Sequence, residues 1–209
     1  MSTETKKLRI GAVLFEEFEL LDVFGPLEMF GLLRDKVEIA MLGGQAGPVR
    51  SNQGPCGVVD CAFADCPPLD VLLIPGGWGT RREVNNPVMI QALKTQAEGA
   101  TWVATVCTGT ALLARTGLLD GKKATSNKLA FKWVSSQGPA VNWIPEARWV
   151  EDGKYFTASG VSAGMDMALG LIERIFDSAT TQQVARWAEY EWHSDRTRDP
   201  FARLNGLVG

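Results

Sequence analysis

Two runs of consecutive apolar residues, "LDVLLIPGG" (69–77) and "WVATVC" (102–107), constrain this chain most. A strand with one face in water alternates apolar and polar residues, whereas a strand that is apolar throughout has both faces covered. That is the condition of a parallel sheet between helical layers, and each run is followed by helix-forming sequence. "LRIGAVLF" (8–15) is a third such run, and "KVEIAMLG" (36–43) alternates as a further strand should.

The segments between them repeat apolar residues at helical spacing. "DVFGPLEMFGLL" (22–33) predicts a helix starting near Gly25-Pro26, and "NPVMIQALKTQAEGA" (86–100) one opened at Asn86-Pro87 and closed near Gly99. "TGTALLARTGLL" (108–119), "LAFKWVSSQG" (129–138), "SAGMDMALGLIERIF" (162–176) and a last stretch over about 179–192 read as further helices. Residues 43–54 are turn-rich and predict a hairpin or excursion, and "ARWVEDGKYFTAS" (147–159) a hairpin turning at Asp152-Gly153. Alternating strands and helices predict an α/β fold, a three-layer sandwich around a mostly parallel sheet with right-handed crossovers. No repeat or linker divides it, so the 209 residues are expected to form one domain, 1–209.

A net charge of −3, with 22% charged and 45% hydrophobic residues, carries no polyanion-binding signature, so no nucleic-acid partner is expected. The polar start "MSTETKKLR" and the lack of any spanning apolar run predict a cytoplasmic protein that engages no membrane. Of four cysteines, Cys56, Cys61 and Cys66 follow five-residue steps that match no zinc spacing, and the single histidine, His193, is remote. No metal site is expected, and these three read as small buried hydrophobes.

Cys107 is different because it ends an apolar strand immediately before a small-residue helix start. In an open α/β sheet, function gathers at the carboxyl ends of strands, and a strand-nucleophile-helix turn exposes its side chain. A helix N-terminus favours an anion, which predicts a lowered thiol pKa; the alternative is a buried structural thiol. Gly76 and Gly77 end the neighbouring strand, where a backbone without side chains approaches a reacting group closely, and the Gly77 and Thr108 amides are candidates for an anion pocket. Glu16, Glu17 and Glu19 read as a solvated loop face. Asp22, between Leu21 and Val23, is either a helix N-cap or a carboxyl group beside the thiol. Trp78 is a candidate wall of the crevice, and Trp187 and Trp192 candidate covers of the crevice or of a dimer partner; ordinary packing is the alternative for each.

At these residues the chain resembles the ThiJ/PfpI superfamily, the glutamine-amidotransferase-like α/β sandwiches with a reactive cysteine on a nucleophile elbow. "LLDVFGPLEMF", "FADCPPLDVLLIPGGWG", "VCTGTALLARTGLLDGKKAT" and "GVSAGMDMAL" are similar to its isocyanide (isonitrile) hydratase branch. The resemblance implies a flavodoxin-like sandwich with Cys107 as nucleophile, Asp22 as acidic partner and Thr108 as an elbow residue near the substrate. It also implies Gly77 and Thr108 as backbone donors, Val161 with its backbone close to the thiol, a homodimer, a small-molecule substrate and no cofactor. Many superfamily members carry a histidine where this chain has Asn127, so no Cys-His dyad is expected there, and His193 reads as an exposed C-terminal residue. That weakens amidohydrolase, protease and glutaminase readings. Glyoxalase or deglycase chemistry on aldehydes and a non-catalytic redox sensor built on Cys107 are the competing expectations. Related domains occur in ligand-sensing regulators, but "RTRDPFARLNGLVG" at the end is not expected to hold a DNA-binding module.

Overall fold

The structure, a computed structural model, describes residues 6–209; residues 1–5, part of the polar start, lie outside the described residues. In chain order the elements are β1 (Leu8–Val13), α1 (Leu20–Gly31), β2 (Val37–Gly43), β3 (Gly47–Arg50), β4 (Cys56–Val59), β5 (Cys61–Ala62), β6 (Val71–Ile74), α2 (Thr80–Glu83), α3 (Pro87–Gly99) and β7 (Trp102–Val106). They continue with α4 (Gly109–Arg115), β8 (Lys123–Ala124), α5 (Phe131–Gln137), β9 (Asn142–Trp143), β10 (Trp149–Asp152), β11 (Tyr155–Ala158), α6 (Ala163–Ile175), α7 (Ser178–Trp187) and α8 (Pro200–Leu204).

Seven strands form one sheet in the order β10-β11-β7-β6-β1-β2-β5, parallel except for the β10–β11 hairpin. The fold is the expected α/β sandwich around a mostly parallel sheet. All four residues of β6 are buried, as are the last four of β7, and each apolar side chain so covered contributes about 1.5–3 kcal/mol. From β1 the chain passes to β2 on one side and later to β6 on the other. The carboxyl ends of β1, β6 and β7 therefore border the crevice opened by this reversal of strand order.

Local signals explain most boundaries. Asn86 caps α3 by accepting the Val88 and Met89 amides at 3.1 and 3.3 Å, with Pro87 in the first turn. The turn-rich stretch forms the β3–β4 hairpin, outside the main sheet.

Three expectations are corrected. Helix α1 starts at Leu20, so Gly25-Pro26 lies inside it and Asp22 sits in its first turn without capping it; Pro26 mimics a start signal because proline favours that position. The last predicted helix ends at Trp187. It closes through Glu189 at φ 49° with Tyr190 N–H on the Ala185 carbonyl, a left-handed stop without the usual glycine marker, and α8 follows after a loop. Cys56 is exposed, and Cys61 and Cys66 are half-buried, because this region lies at the sheet edge; burial and the neighbouring Cys61 push the Cys66 thiol up to about 12. Among the described residues, no group of three or more His, Cys, Asp and Glu side chains is placed to hold a metal ion, and no helix is long and apolar enough to cross a membrane.

The segment after α7 is held to the sandwich by a buried ion pair. Asp166, fully buried on α6, binds Arg148 Nε at 2.7 Å and accepts the Tyr190 hydroxyl and the His193 amide, each at 3.0 Å. Removing one partner of such a pair strands the other without compensation. Asp166→Ala is expected to lower unfolding free energy by about 3–5 kcal/mol in urea titration; a loss below about 1 kcal/mol would show that the pair does not anchor this segment.

Candidate active site

Cys107 occupies the turn between β7 and α4 at φ 57°, a left-handed conformation that costs a non-glycine residue about 1–2 kcal/mol. Its amide donates to the Ser159 carbonyl at 2.8 Å, and its carbonyl accepts the Ser126 hydroxyl at 2.7 Å. These contacts tie the strained turn to the segments after β8 and β11. The side chain faces a cleft of about 310 Å³ lined by Glu19, Trp78, Arg81, Asn127 and Val161 among others.

The chain closes on this turn from β6. A side chain at Gly76 would stand 2.7 Å from the Thr108 amide and 2.8 Å from Asp22 Oδ2. Gly77, at φ 127°, forms a bridge with Phe18, while the Glu19 amide donates to the Gly76 carbonyl at 2.9 Å. The β1–α1 loop is thereby fastened beside Cys107, and the first turn of α1 carries Asp22 inward. Of the amide donors expected at Gly77 and Thr108, the first is engaged within the protein. The Gly77 amide donates to Thr108 Oγ1 at 3.1 Å, while the Thr108 amide favours the charged form of the thiol. Thr80 completes the arrangement by donating its hydroxyl to the Gly77 carbonyl at 2.7 Å.

Asp22 is fully buried. Its Oδ2 accepts the Gly76 amide at 2.8 Å, but Oδ1 is buried with no hydrogen-bond partner. Burial, reinforced by the Glu19 charge, holds this carboxyl well above the usual carboxylate range; the Gly76 amide and the Cys107 side chain oppose the rise. The Cys107 thiol is likewise pushed up, first by burial and then by the Asp22 charge, with the Thr108 amide opposing. The expected lowering of the thiol pKa is thus corrected: at 7% exposure, desolvation outweighs the donor at the turn. A charge on either group disfavours one on the other, so the two titrate jointly.

Cys107, Thr108, Gly77, Trp78 and Val161 share the cleft, with Gly76 and Asp22 directly behind it. His193 does not line it; its side chain is 66% exposed beside Asp166. Trp192 hydrogen-bonds to the Asp166 carbonyl, and Trp187 lines a separate cavity with Leu32 and Gln183, so neither lines this cleft. Asn127 does, but its Oδ1 is occupied by the Ala130 amide at 2.9 Å. Four lining residues escaped the sequence, the apolar Leu129 and Ala130 and the charged Glu19 and Arg81. Glu19, read as solvated, is half-buried and hydrogen-bonded to Gln53, and the Arg81 guanidinium lies over the rings of Trp78 and Trp133. The three-residue spacing of Trp78 and Arg81 was the available signal for the latter.

The sequence pattern of the DJ-1/PfpI family matches residues 8–174. The chain is 35% identical over 184 residues to an isonitrile hydratase of Pseudomonas putida, an alignment covering 88% of this chain and 78% of that protein. It is 29% identical over 143 residues to a deglycase of Thermococcus kodakarensis, covering 69% and 83%. Among solved structures, a ThiJ/PfpI family protein from Pseudomonas syringae superposes with a TM-score of 0.83 at 28% identity, over 98% of this chain and 87% of that one.

Because Asp22 charge opposes thiol ionisation, Asp22→Asn is expected to move the appearance of the Cys107 thiolate, followed by its ultraviolet absorbance, to lower pH. An unchanged or upward-shifted titration would mean that the two groups are not coupled.

Proposed function

The chain belongs to the DJ-1/PfpI family, and we propose that it is an isocyanide hydratase, converting an isocyanide to an N-substituted formamide without a cofactor. One observation carries this reading. The cleft joins a buried cysteine to a buried carboxyl held above its usual range, and no histidine lines it. Acyl-transfer chemistry on a cysteine needs a base beside the thiol, and Asn127 cannot serve as one. An isocyanide needs a nucleophile and a proton on the same carbon, which is what a thiolate and a protonated carboxyl supply. Similarity to the Pseudomonas putida isonitrile hydratase supports the same conclusion.

In the reacting state the pair's single negative charge resides on sulfur and its proton on Asp22. The Cys107 thiolate adds to the terminal carbon of the isocyanide while Asp22 protonates that carbon, giving an S-linked thioimidate and an Asp22 carboxylate. Asp22 then takes a proton from water as the oxygen attacks the same carbon, and returns it to the nitrogen. Loss of the hydroxyl proton to Asp22 and cleavage of the carbon–sulfur bond release the formamide and restore the thiolate and the protonated carboxyl. The Thr108 amide stabilises charge at sulfur, Gly77 positions Thr108 through its hydroxyl, Gly76 orients Asp22, and Trp78 and Val161 wall the substrate.

The active form in this reading is a cytoplasmic homodimer. A second cavity of about 290 Å³ adjoins the first through Asn127, Leu129 and Val161. It is bordered by Leu21, Leu129 and Phe201, apolar side chains 40%, 86% and 54% exposed that a second copy would cover. The Thermococcus kodakarensis relative supports one competing activity, aldehyde chemistry on the same cysteine.

With an aryl isocyanide, purified protein is expected to produce the formamide and Cys107→Ala none above background. Asp22→Asn is expected to lower kcat about 10²- to 10⁴-fold, the usual contribution of a general acid. Formamide production undiminished in Cys107→Ala would overturn the mechanism, and methylglyoxal turnover without isocyanide turnover would replace it with aldehyde chemistry.

A further inference from the structure

Among the described residues, Arg81 is the one cationic side chain lining the cleft, and the hydration chemistry gives it no work. Its guanidinium carbon lies over two indole rings, 4.4 Å from the centre of Trp78 in the β6–α2 turn and 4.6 Å from that of Trp133 on α5. A cation–π contact of this kind draws on the guanidinium's charge and does not consume its N–H donors. Among the described residues, no carboxylate lies within ion-pair distance of Arg81 and no hydrogen bond uses its guanidinium. The neighbouring Arg82 shows the contrast, binding Glu83 at 2.7 Å and Glu17 at 3.3 Å.

The cleft therefore presents charges of opposite sign. Glu19 on the wall, hydrogen-bonded to Gln53, and the reacting charge on the Cys107 sulfur make the Cys107 end unfavourable for an anion. Arg81 makes another part of the same cleft favourable for one. A substrate with its electrophilic carbon at one end and a carboxylate at the other fits this distribution in one orientation only.

We propose that Arg81 is a substrate-binding residue that selects carboxylate-bearing substrates, so that the physiological isocyanide is an isocyano acid with an apolar or aromatic body. The substrate carboxylate accepts the in-plane N–H donors of Arg81, and Trp78, 61% exposed, covers the body between carboxylate and reacting carbon. The choice of isocyano acid rests on the hydratase reading, whereas anion selection at Arg81 does not.

The two are separated by binding without turnover. Benzoate and its uncharged analogue benzamide are titrated calorimetrically into the full chain, into Arg81→Gln and into Arg81→Lys, with thermal unfolding verifying that each variant is folded. Benzoate is expected to bind at least about tenfold tighter than benzamide, to weaken with added salt and to slow alkylation of Cys107. Arg81→Gln is expected to abolish the preference, and Arg81→Lys, which keeps the charge but not the planar fork, to retain part of it. Equal affinities, undetectable benzoate binding or a preference that survives in Arg81→Gln would overturn the proposal. In turnover, the ratio of kcat/KM for 4-isocyanobenzoate to that for phenyl isocyanide is expected to fall at least about tenfold in Arg81→Gln. If neither isocyanide is turned over while the benzoate preference stands, the hydratase reading fails and anion selection at Arg81 survives.

Discussion

The site depends on a cysteine backbone held in the left-handed region. At φ 57° Cys107 is in a conformation the residue does not choose alone, and it persists because its neighbours leave no alternative. Its N–H is bound by the segment after β11, its C=O by Ser126, and the backbone of β6 passes so close that only glycine fits at position 76. Relaxing the turn would break contacts to three separate parts of the chain. The sheet topology exists upstream of this, since it brings the ends of β1, β6 and β7 together at the reversal of strand order.

The same closeness sets the chemistry. A carboxyl and a thiol that are both desolvated resist charging, and each resists more when the other is charged. An exposed, readily ionised cysteine would suit a peroxide sensor; here the thiol is buried and pushed up, and its ionisation is tied to where the neighbouring proton sits. Such a pair suits a reaction in which nucleophile and proton are delivered to one carbon. The Asp22 Oδ1 atom, buried without a hydrogen-bond partner in the resting site, is where that proton would reside.

Much of this was legible in the sequence because the signals were local. The uninterrupted apolar runs revealed the buried parallel strands, and Cys107 and Gly76-Gly77 stood out because each ends such a run. What escaped depends on tertiary contacts. Pro26 imitates a helix start, and only the packing around Asp22 shows that the helix begins a turn earlier. Glu19 resembled its solvated neighbours Glu16 and Glu17 until the β1–α1 loop was fastened to β6. The direction of the thiol shift followed from burial, which the position of Cys107 in a strand-helix turn did not reveal. Arg81 lies in a charged stretch, and its partner Trp133 is more than fifty residues away in the chain.

The central claim is that sulfur and carboxyl act on one carbon through a covalent intermediate. The most direct measurement is mass spectrometry of the protein quenched during turnover of an aryl isocyanide, with peptide mapping of any adduct. The expected result is a mass gain equal to one intact substrate molecule, confined to the peptide containing Cys107 and absent from Cys107→Ala. Steady formamide production with no adduct on Cys107 at any quench time would contradict covalent catalysis by this thiol.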